Sequence, residues 1–456
     1  MKRDPAPAAP SRKPLLERLF ALEAHGTTVR TELLAGLTTF LTMAYIVFVN
    51  PSILADAGMP KGSVFVATCL IAALGSAVMA LAANWPVALA PGMGLNAYFA
   101  YVVVQGMGYT WQAALGAVFI SGLCFLVVTL TGLRAIIVAG IPRSMRIALT
   151  VGIGLFLAII ALKNAGVVAA SPATFVTLGD LRQPGTMLAA LGFLMVAVLS
   201  ARRVRAALLL TILTVTGLSF VFAGNAFQGI VSAPPSILPT LFALDIPGAL
   251  TGGLLNVILV LFLVELFDAT GTLMAVAGRA GLLPETGRAG LLPETGRAPR
   301  LDRALMADSA AIFTGSLLGT SSATAYLESA AGVEEGGRTG LTAATVAVLF
   351  LACLFFAPLA GSVPAYATAP ALFYVACLML RELTALDWDD VTEVIPACVT
   401  ALLMPFTYSI ANGVAFGFIT YAVLKALTGR AREVKPVVWV IAAVFLFKFV
   451  ESGGAH

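Results

Sequence analysis

Apolar runs of roughly 17–25 residues recur along almost the whole chain, separated by short loops. The chain has 456 residues, 59% hydrophobic and 11% charged. A soluble domain carries about a quarter charged residues, so a water-facing fold cannot hide this much apolar surface. The sequence therefore predicts an all-α polytopic membrane protein. Its 43 Gly and 24 Pro suit helices that pack closely or break where neighbours satisfy the freed backbone groups.

The runs lie near 31–50, 63–83, 86–105, 111–131, 145–165, 186–201 and 205–223. After a Pro-rich linker at 226–248 they resume near 249–277, 302–319, 321–332, 340–361, 364–381, 391–408 and 409–428. That is seven plus seven, with the first repeat over 31–225 and the second over 249–430. An odd number per half gives the halves opposite orientations, as two inverted repeats require. Residues 1–30 read as a cytoplasmic tail with a short amphipathic helix; it lacks the continuous apolar core of a signal peptide. Residues 431–456 hold a short apolar piece, 436–450, that either spans or lies at the interface.

The basic residues test this layout. Arg134, Arg143 and Arg146 follow the fourth run, Arg202, Arg203 and Arg205 the sixth, and Arg279, Arg288, Arg297, Arg300 and Arg303 the eighth. Arg338 follows the tenth, Arg381 the twelfth, and Arg430, Arg432 and Lys435 the fourteenth. Loops after odd-numbered runs hold almost none. The bias predicts both termini in the cytoplasm of a multi-pass cytoplasmic-membrane protein. It is an orientation signal rather than a nucleic-acid footprint.

Several other features carry no site. "AGLLPETGR" occurs at 280–288 and again at 289–297, a duplication that an exposed loop tolerates. The five cysteines are scattered singly and read as small core hydrophobes. Only His25 and His456 exist, so no histidine-based metal or catalytic centre is expected. "GMGLNA" mimics a dinucleotide fingerprint, but it sits inside an apolar run without the required strand and crossover helix.

The third run, "WPVALAPGMGLNAYFAYVV", is interrupted by Pro91, Gly92 and Gly94. The tenth, "GTSSATAYLESAAG", is short and rich in Gly, Ser, Thr and Ala. Each is the third element of its half. Broken segments at matching positions of two inverted halves point to a transporter's binding site.

Three acidic residues lie at plausible membrane depth. Glu265 and Asp268 belong to "LVELFDATGT" in the eighth run, and Glu328 to the tenth. A charge at the bilayer centre costs at least about 2.5–3.5 kcal/mol, so it faces a cavity or holds a helix end by accepting N–H groups. Both readings stand for Glu265, and for Asp308 in the ninth run. Asn96, Asp268 and Glu328 come from the three segments expected to meet. Two acceptor carboxylates and an amide suit a small neutral ligand with several N–H groups. An anion would want Arg or Lys, and Lys163 sits at a run end. Phe99, Phe267, Tyr98 and Tyr326 either pack or offer a surface to a planar ring.

With "TELLAGLTTFLTMAYIVFVNP", "APGMGLNAYF", "VELFDATGTL" and "GTSSATAYLESAAGVEEGGRTGLTA" on the page, the chain from about 16 to 450 resembles the AzgA-like adenine/guanine/hypoxanthine permeases. These are a branch of the nucleobase–cation symporters. The resemblance implies fourteen segments in two inverted repeats. A core domain takes spans 1–4 and 8–11, and a gate domain spans 5–7 and 12–14. Spans 3 and 10 carry short extended breaks. It further implies proton-coupled purine uptake driven by the proton motive force, with no other cofactor, no metal, no covalent chemistry and a homodimer in the lipid bilayer. By motif, Asn96, Asp268 and Glu328 match substrate positions. Gly94, Thr324 and Phe267 are expected beside them, and Glu265, Asp268 and Glu328 are the candidates for the proton. An uncoupled purine channel, or a carrier of another small neutral N-heterocycle, remains open. An intramembrane enzyme lacks a catalytic constellation.

Overall fold

The computed structural model describes residues 14–250, 252–282 and 300–453. Most of the tandem nonapeptide lies outside them. The first part of the chain forms α1 (Leu15–Phe20), α2 (Val29–Met43), α3 (Ile46–Asp56), α4 (Lys61–Val78), β1 (Leu89–Pro91), α5 (Met93–Ala97), α6 (Trp111–Leu130), α7 (Leu133–Gly140) and α8 (Arg143–Asn164). A hairpin, β2 (Val168–Ser171) and β3 (Phe175–Leu178), precedes α9 (Pro184–Ala201) and α10 (Ala207–Phe222). Then come α11 (Ile246–Ala249), α12 (Gly252–Arg279), α13 (Leu301–Leu318), β4 (Ala323–Ala325), α14 (Ser329–Glu334), α15 (Gly340–Cys353), α16 (Ala357–Gly361), α17 (Ala365–Leu380), α18 (Val391–Phe406), α19 (Ile410–Leu427) and α20 (Pro436–Gly453).

Among the described residues, eight helices are long and apolar enough to cross a bilayer. Three others, Ala207–Phe222, Val391–Phe406 and Pro436–Phe447, are apolar but shorter. Two of the expected runs are not continuous helices. Residues 86–105 contain β1, α5 and a wide helical turn at Tyr98–Gly106, while 321–332 contain β4 and the start of α14. The β2–β3 hairpin has no counterpart in the sequence reading. Its residues fall in the loop between the fifth and sixth runs.

The helices fall into two packed groups. In one, α2, α4, α6, α12, α13, α14 and α15 surround the two strands β1 and β4. In the other, α8 packs against α17 and α18, with α9, α10 and α19 outside them. Contacts between the groups are sparse, and α5 against α8 is one of them.

The cysteine expectation is corrected. Cys69 is buried, Cys353 and Cys398 are half-buried, and Cys124 and Cys377 are exposed. In a bilayer the outer surface of a helix is as apolar as its packed face, so apolar surroundings in sequence do not imply burial.

Candidate functional site

The centre of the first group is an antiparallel pair of three-residue strands from opposite halves of the chain. Leu89 faces Ala325, Ala90 faces Thr324 and Pro91 faces Ala323. Pro91 and Gly92 explain the first break, since a proline offers no N–H and ends the regular ladder. Gly319, at φ +88°, ends α13 and releases the second. In a membrane interior every freed backbone group needs a partner, and here many of the partners can be named. The amides of Ala88 and Leu89 donate to the hydroxyls of Ser329 and Ser76, each at 3.0 Å. The Gly92 amide donates to the Ser322 carbonyl at 2.8 Å, and the Tyr326 amide to the Ala88 carbonyl at 3.0 Å. The Tyr326 hydroxyl donates to the Pro91 carbonyl at 2.6 Å. Asp308 Oδ1 accepts the Ala325 amide at 3.1 Å, so Asp308 supports the break.

Beside this crossing lies a cavity of about 40 Å³, lined by Gly94, Leu95, Leu149, Thr150, Ile153, Val264, Phe267, Asp268 and Met379. It straddles the seam between the groups. Leu149, Thr150 and Ile153 come from α8 and Met379 from α17, while the rest belong to α5 and α12. Gly94 meets Ile153 so closely that a Cβ on Gly94 would overlap the isoleucine Cγ2. Asp268 is exposed although its neighbours Phe267 and Ala269 are buried, so its carboxylate opens into this interior space.

The predicted residues separate into three roles. Gly94, Phe267 and Asp268 form the cavity wall. Glu328 is half-buried, accepts the Tyr45 hydroxyl at 2.8 Å, and lies close enough to Asp268 for their charges to interact. Asn96 and Thr324 sit behind the wall. The Asn96 amide donates to Asn50 Oδ1 at 2.5 Å and its carbonyl oxygen accepts the Ser321 hydroxyl. Asn50 also donates to Thr68 at 2.7 Å and Thr320 at 2.9 Å. The amide that the sequence offered as a ligand group thus ties α3 and α5 to the second break. The Thr324 hydroxyl is buried without a hydrogen-bond partner, and its Cγ2 lies by Gly92.

Glu265 and Asp268 are three residues apart on α12, but the structure gives them different surroundings. Three residues rotate a helix by about 300°, an offset of about 60°, enough to turn one side chain into the cavity and the other away. Glu265 is fully buried and accepts the Ser121 hydroxyl of α6 at 3.0 Å through Oε2, with the Ser322 hydroxyl also beside its carboxylate.

Sequence reasoning missed four contributors. Tyr45 and Asn50 sit in an apolar run where a single polar residue gives no period. Thr150 lies in a run that lacks any break. Arg134 was counted as a loop charge, yet it is 3% exposed. Its guanidinium donates to Thr270 Oγ1 at 2.9 and 3.0 Å, stacks over Phe125 at 4.4 Å and lies 3.9 Å from Asp308. An arginine four residues past a helix end reads as solvated unless the next helix folds back, as α7 does.

Comparison with known proteins gives this architecture a family. The Permease family profile (Xan_ur_permease) matches residues 30–416. The chain is 50% identical to the adenine permease AdeP of Escherichia coli (strain K12), over 96% of each protein. It is 43% identical to the guanine/hypoxanthine permease PbuO of Bacillus subtilis (strain 168), over 94% of this chain and 99% of that one. In fold it is similar to the transmembrane domain of a cyanobacterium bicarbonate transporter, BicA. The TM-score is 0.61 at 16% identity, covering 84% of this chain and 97% of that one. The chain belongs to this permease family, and it is a multi-pass membrane transporter rather than an enzyme.

Proposed function

We propose that the protein is a proton-coupled importer of purine nucleobases, adenine, guanine and hypoxanthine among them, working by alternating access in the cytoplasmic membrane. The observation that carries this reading is Asp268. It is an exposed carboxylate in mid-helix, at a cavity between two packed groups of helices, beside a backbone break. An ionised carboxylate only accepts hydrogen bonds, which suits the N–H groups of a neutral heterocycle. The relatives named above as adenine and guanine/hypoxanthine permeases share nearly the whole chain.

In this reading the strand-centred group is the core domain and the group around α8 is the gate. Four further helices, α10, α13, α17 and α18, and the two broken segments bring the eight long helices to fourteen crossings in two inverted repeats, over 31–225 and 249–430, with both termini cytoplasmic. Asp268 and Glu328 hold the purine, and Asn96, Gly94, Thr324 and Phe267 build the pocket around them. The proton rides on the cluster of Glu265, Asp268 and Glu328. The protein works as a homodimer.

A cavity of about 40 Å³ is far below the roughly 300–1,000 Å³ of ordinary ligand pockets. The α5–α8 seam is therefore closed here and must part to admit substrate. Radiolabelled purine accumulation, in cells lacking their own purine permeases and with or without a proton-dissipating agent, tests the proposal. Concentrative uptake that the agent abolishes is expected. Uptake that only equilibrates would replace symport by facilitated diffusion, and no uptake of any purine would end the purine reading.

A further inference from the structure

Thr150 and Asp268 are the two polar side chains among the residues lining the cavity, Met379 sulfur aside. They stand on different groups of helices, Thr150 on α8 and Asp268 on α12. We infer that the Thr150 hydroxyl is a direct substrate-reading group, contributed by the gate side and facing the purine edge opposite the one held by Asp268. This rests on the purine reading and adds to it a recognition point on the gate side of the seam.

Three features support it. First, the hydroxyl is available. Its bond to the Arg146 carbonyl, one helical turn back, is 3.3 Å long, the weak back-bond a helical threonine makes when nothing better is offered. Its oxygen keeps lone pairs to accept with, and rotation of the O–H turns it into a donor.

Second, the remaining side chains of the wall cannot do the task. Leu95, Leu149, Ile153, Val264, Phe267 and Met379 give apolar area and shape but no hydrogen bond of ordinary strength. A purine held only from the strand-centred group, by Asp268 and Glu328, would present its far ring nitrogens and six-position group to hydrocarbon. A polar group buried without a partner is costly, so such a pose would be poor.

Third, a hydroxyl matches the substrate class. Adenine carries a donor amino group at its six-position, while hypoxanthine and guanine carry an acceptor carbonyl there. A carboxylate or an ammonium group would discriminate between these, but a hydroxyl serves either by rotating. A ligand bridging Thr150 and Asp268 also draws the two groups of helices together, so recognition and closure are one event.

The test is uptake kinetics of wild type, Thr150→Val and Thr150→Ser, with adenine, hypoxanthine and guanine, normalised to protein in the membrane. Valine keeps the shape and removes the hydroxyl. It is expected to raise the half-saturation concentration about two- to twelvefold for all three bases, the range of one hydrogen bond, with the maximal rate changing less. Thr150→Ser should recover affinity relative to the valine variant. If valine keeps the protein from the membrane, Thr150→Cys takes its place, with the same direction expected. A wild type that transports purines while the hydroxyl-free variant shows an unchanged half-saturation overturns the inference alone. A wild type that transports none of the three overturns the purine reading and the inference with it.

Discussion

Gly94→Ala is a one-carbon change with a large expected effect. The added Cβ would overlap Ile153 Cγ2, while the next Ile153 atom, its Cβ, stands at 3.8 Å. Isoleucine is β-branched and held near one χ1 value on a helix, so the offending methyl cannot swing away freely. Forcing an extra carbon into such a contact costs about 1–3 kcal/mol. The cost falls on the closed arrangement and is relieved when α5 and α8 part, so closure becomes about 5- to 150-fold less favourable. Initial-rate hypoxanthine uptake, corrected for membrane expression, should fall accordingly. The structure also specifies the rescue. Ile153→Ala removes Cγ2 and leaves only the ordinary 3.8 Å contact, so the double variant should recover much of the rate, a coupling that a double-mutant cycle measures. Wild-type uptake by Gly94→Ala, or a double variant no better than the single one, would refute the closed-seam argument.

Three further outcomes are expected. Asp268→Asn replaces an acceptor-only group by one that also donates. It should weaken purine binding by roughly ten- to a hundredfold, the worth of a charge-assisted hydrogen bond, as read by ligand titration of purified protein. Glu265→Gln should flatten the fall of uptake with rising external pH between pH 5 and 8 while leaving binding largely intact, and superimposable pH profiles would remove Glu265 from coupling. Glu32→Ala should lower the thermal stability of the detergent-purified protein by about 2–4 kcal/mol, because Glu32 is fully buried and accepts the Arg338 amide at 2.8 Å, the Thr342 amide at 3.2 Å and the Thr342 hydroxyl at 2.6 Å.

The parts of the site that local chemistry dictates were legible in the sequence. Pro91 and Gly92 announce one break and the Gly/Ser/Thr/Ala stretch after Leu318 the other, and both become strands. Asp268 stood out because a carboxylate amid Leu and Phe needs a reason. What was illegible depends on which helix lies opposite. Nothing around Asn96 says that Asn50, 46 positions earlier, takes its amide. Helices such as α9 and α10 are apolar all round, so no period tells which face meets protein and which meets lipid. The wall of Thr150 and Ile153 on α8 and Met379 on α17 was invisible for the same reason. Glu265 and Asp268 share a turn, and only the packing of α6 against α12 sends one toward Ser121 and leaves the other in the cavity.

The pairing of β1 with β4 also bears on how the protein is made. The Tyr326 hydroxyl and the Pro91 carbonyl are separated by 235 residues of chain. At about 5–20 residues per second, a ribosome adds that length in about 10–50 s. Throughout that interval the first break has its own peptide groups but not the Ser322, Tyr326 and Ser329 partners that satisfy them. Each unpaired group left in hydrocarbon would cost several kcal/mol. The third segment of the nascent chain is therefore a poor guest for lipid until its counterpart emerges. Insertion of this protein should depend on machinery that shelters a half-finished transporter, and a chain truncated after α10 should be degraded rather than accumulate as a stable half.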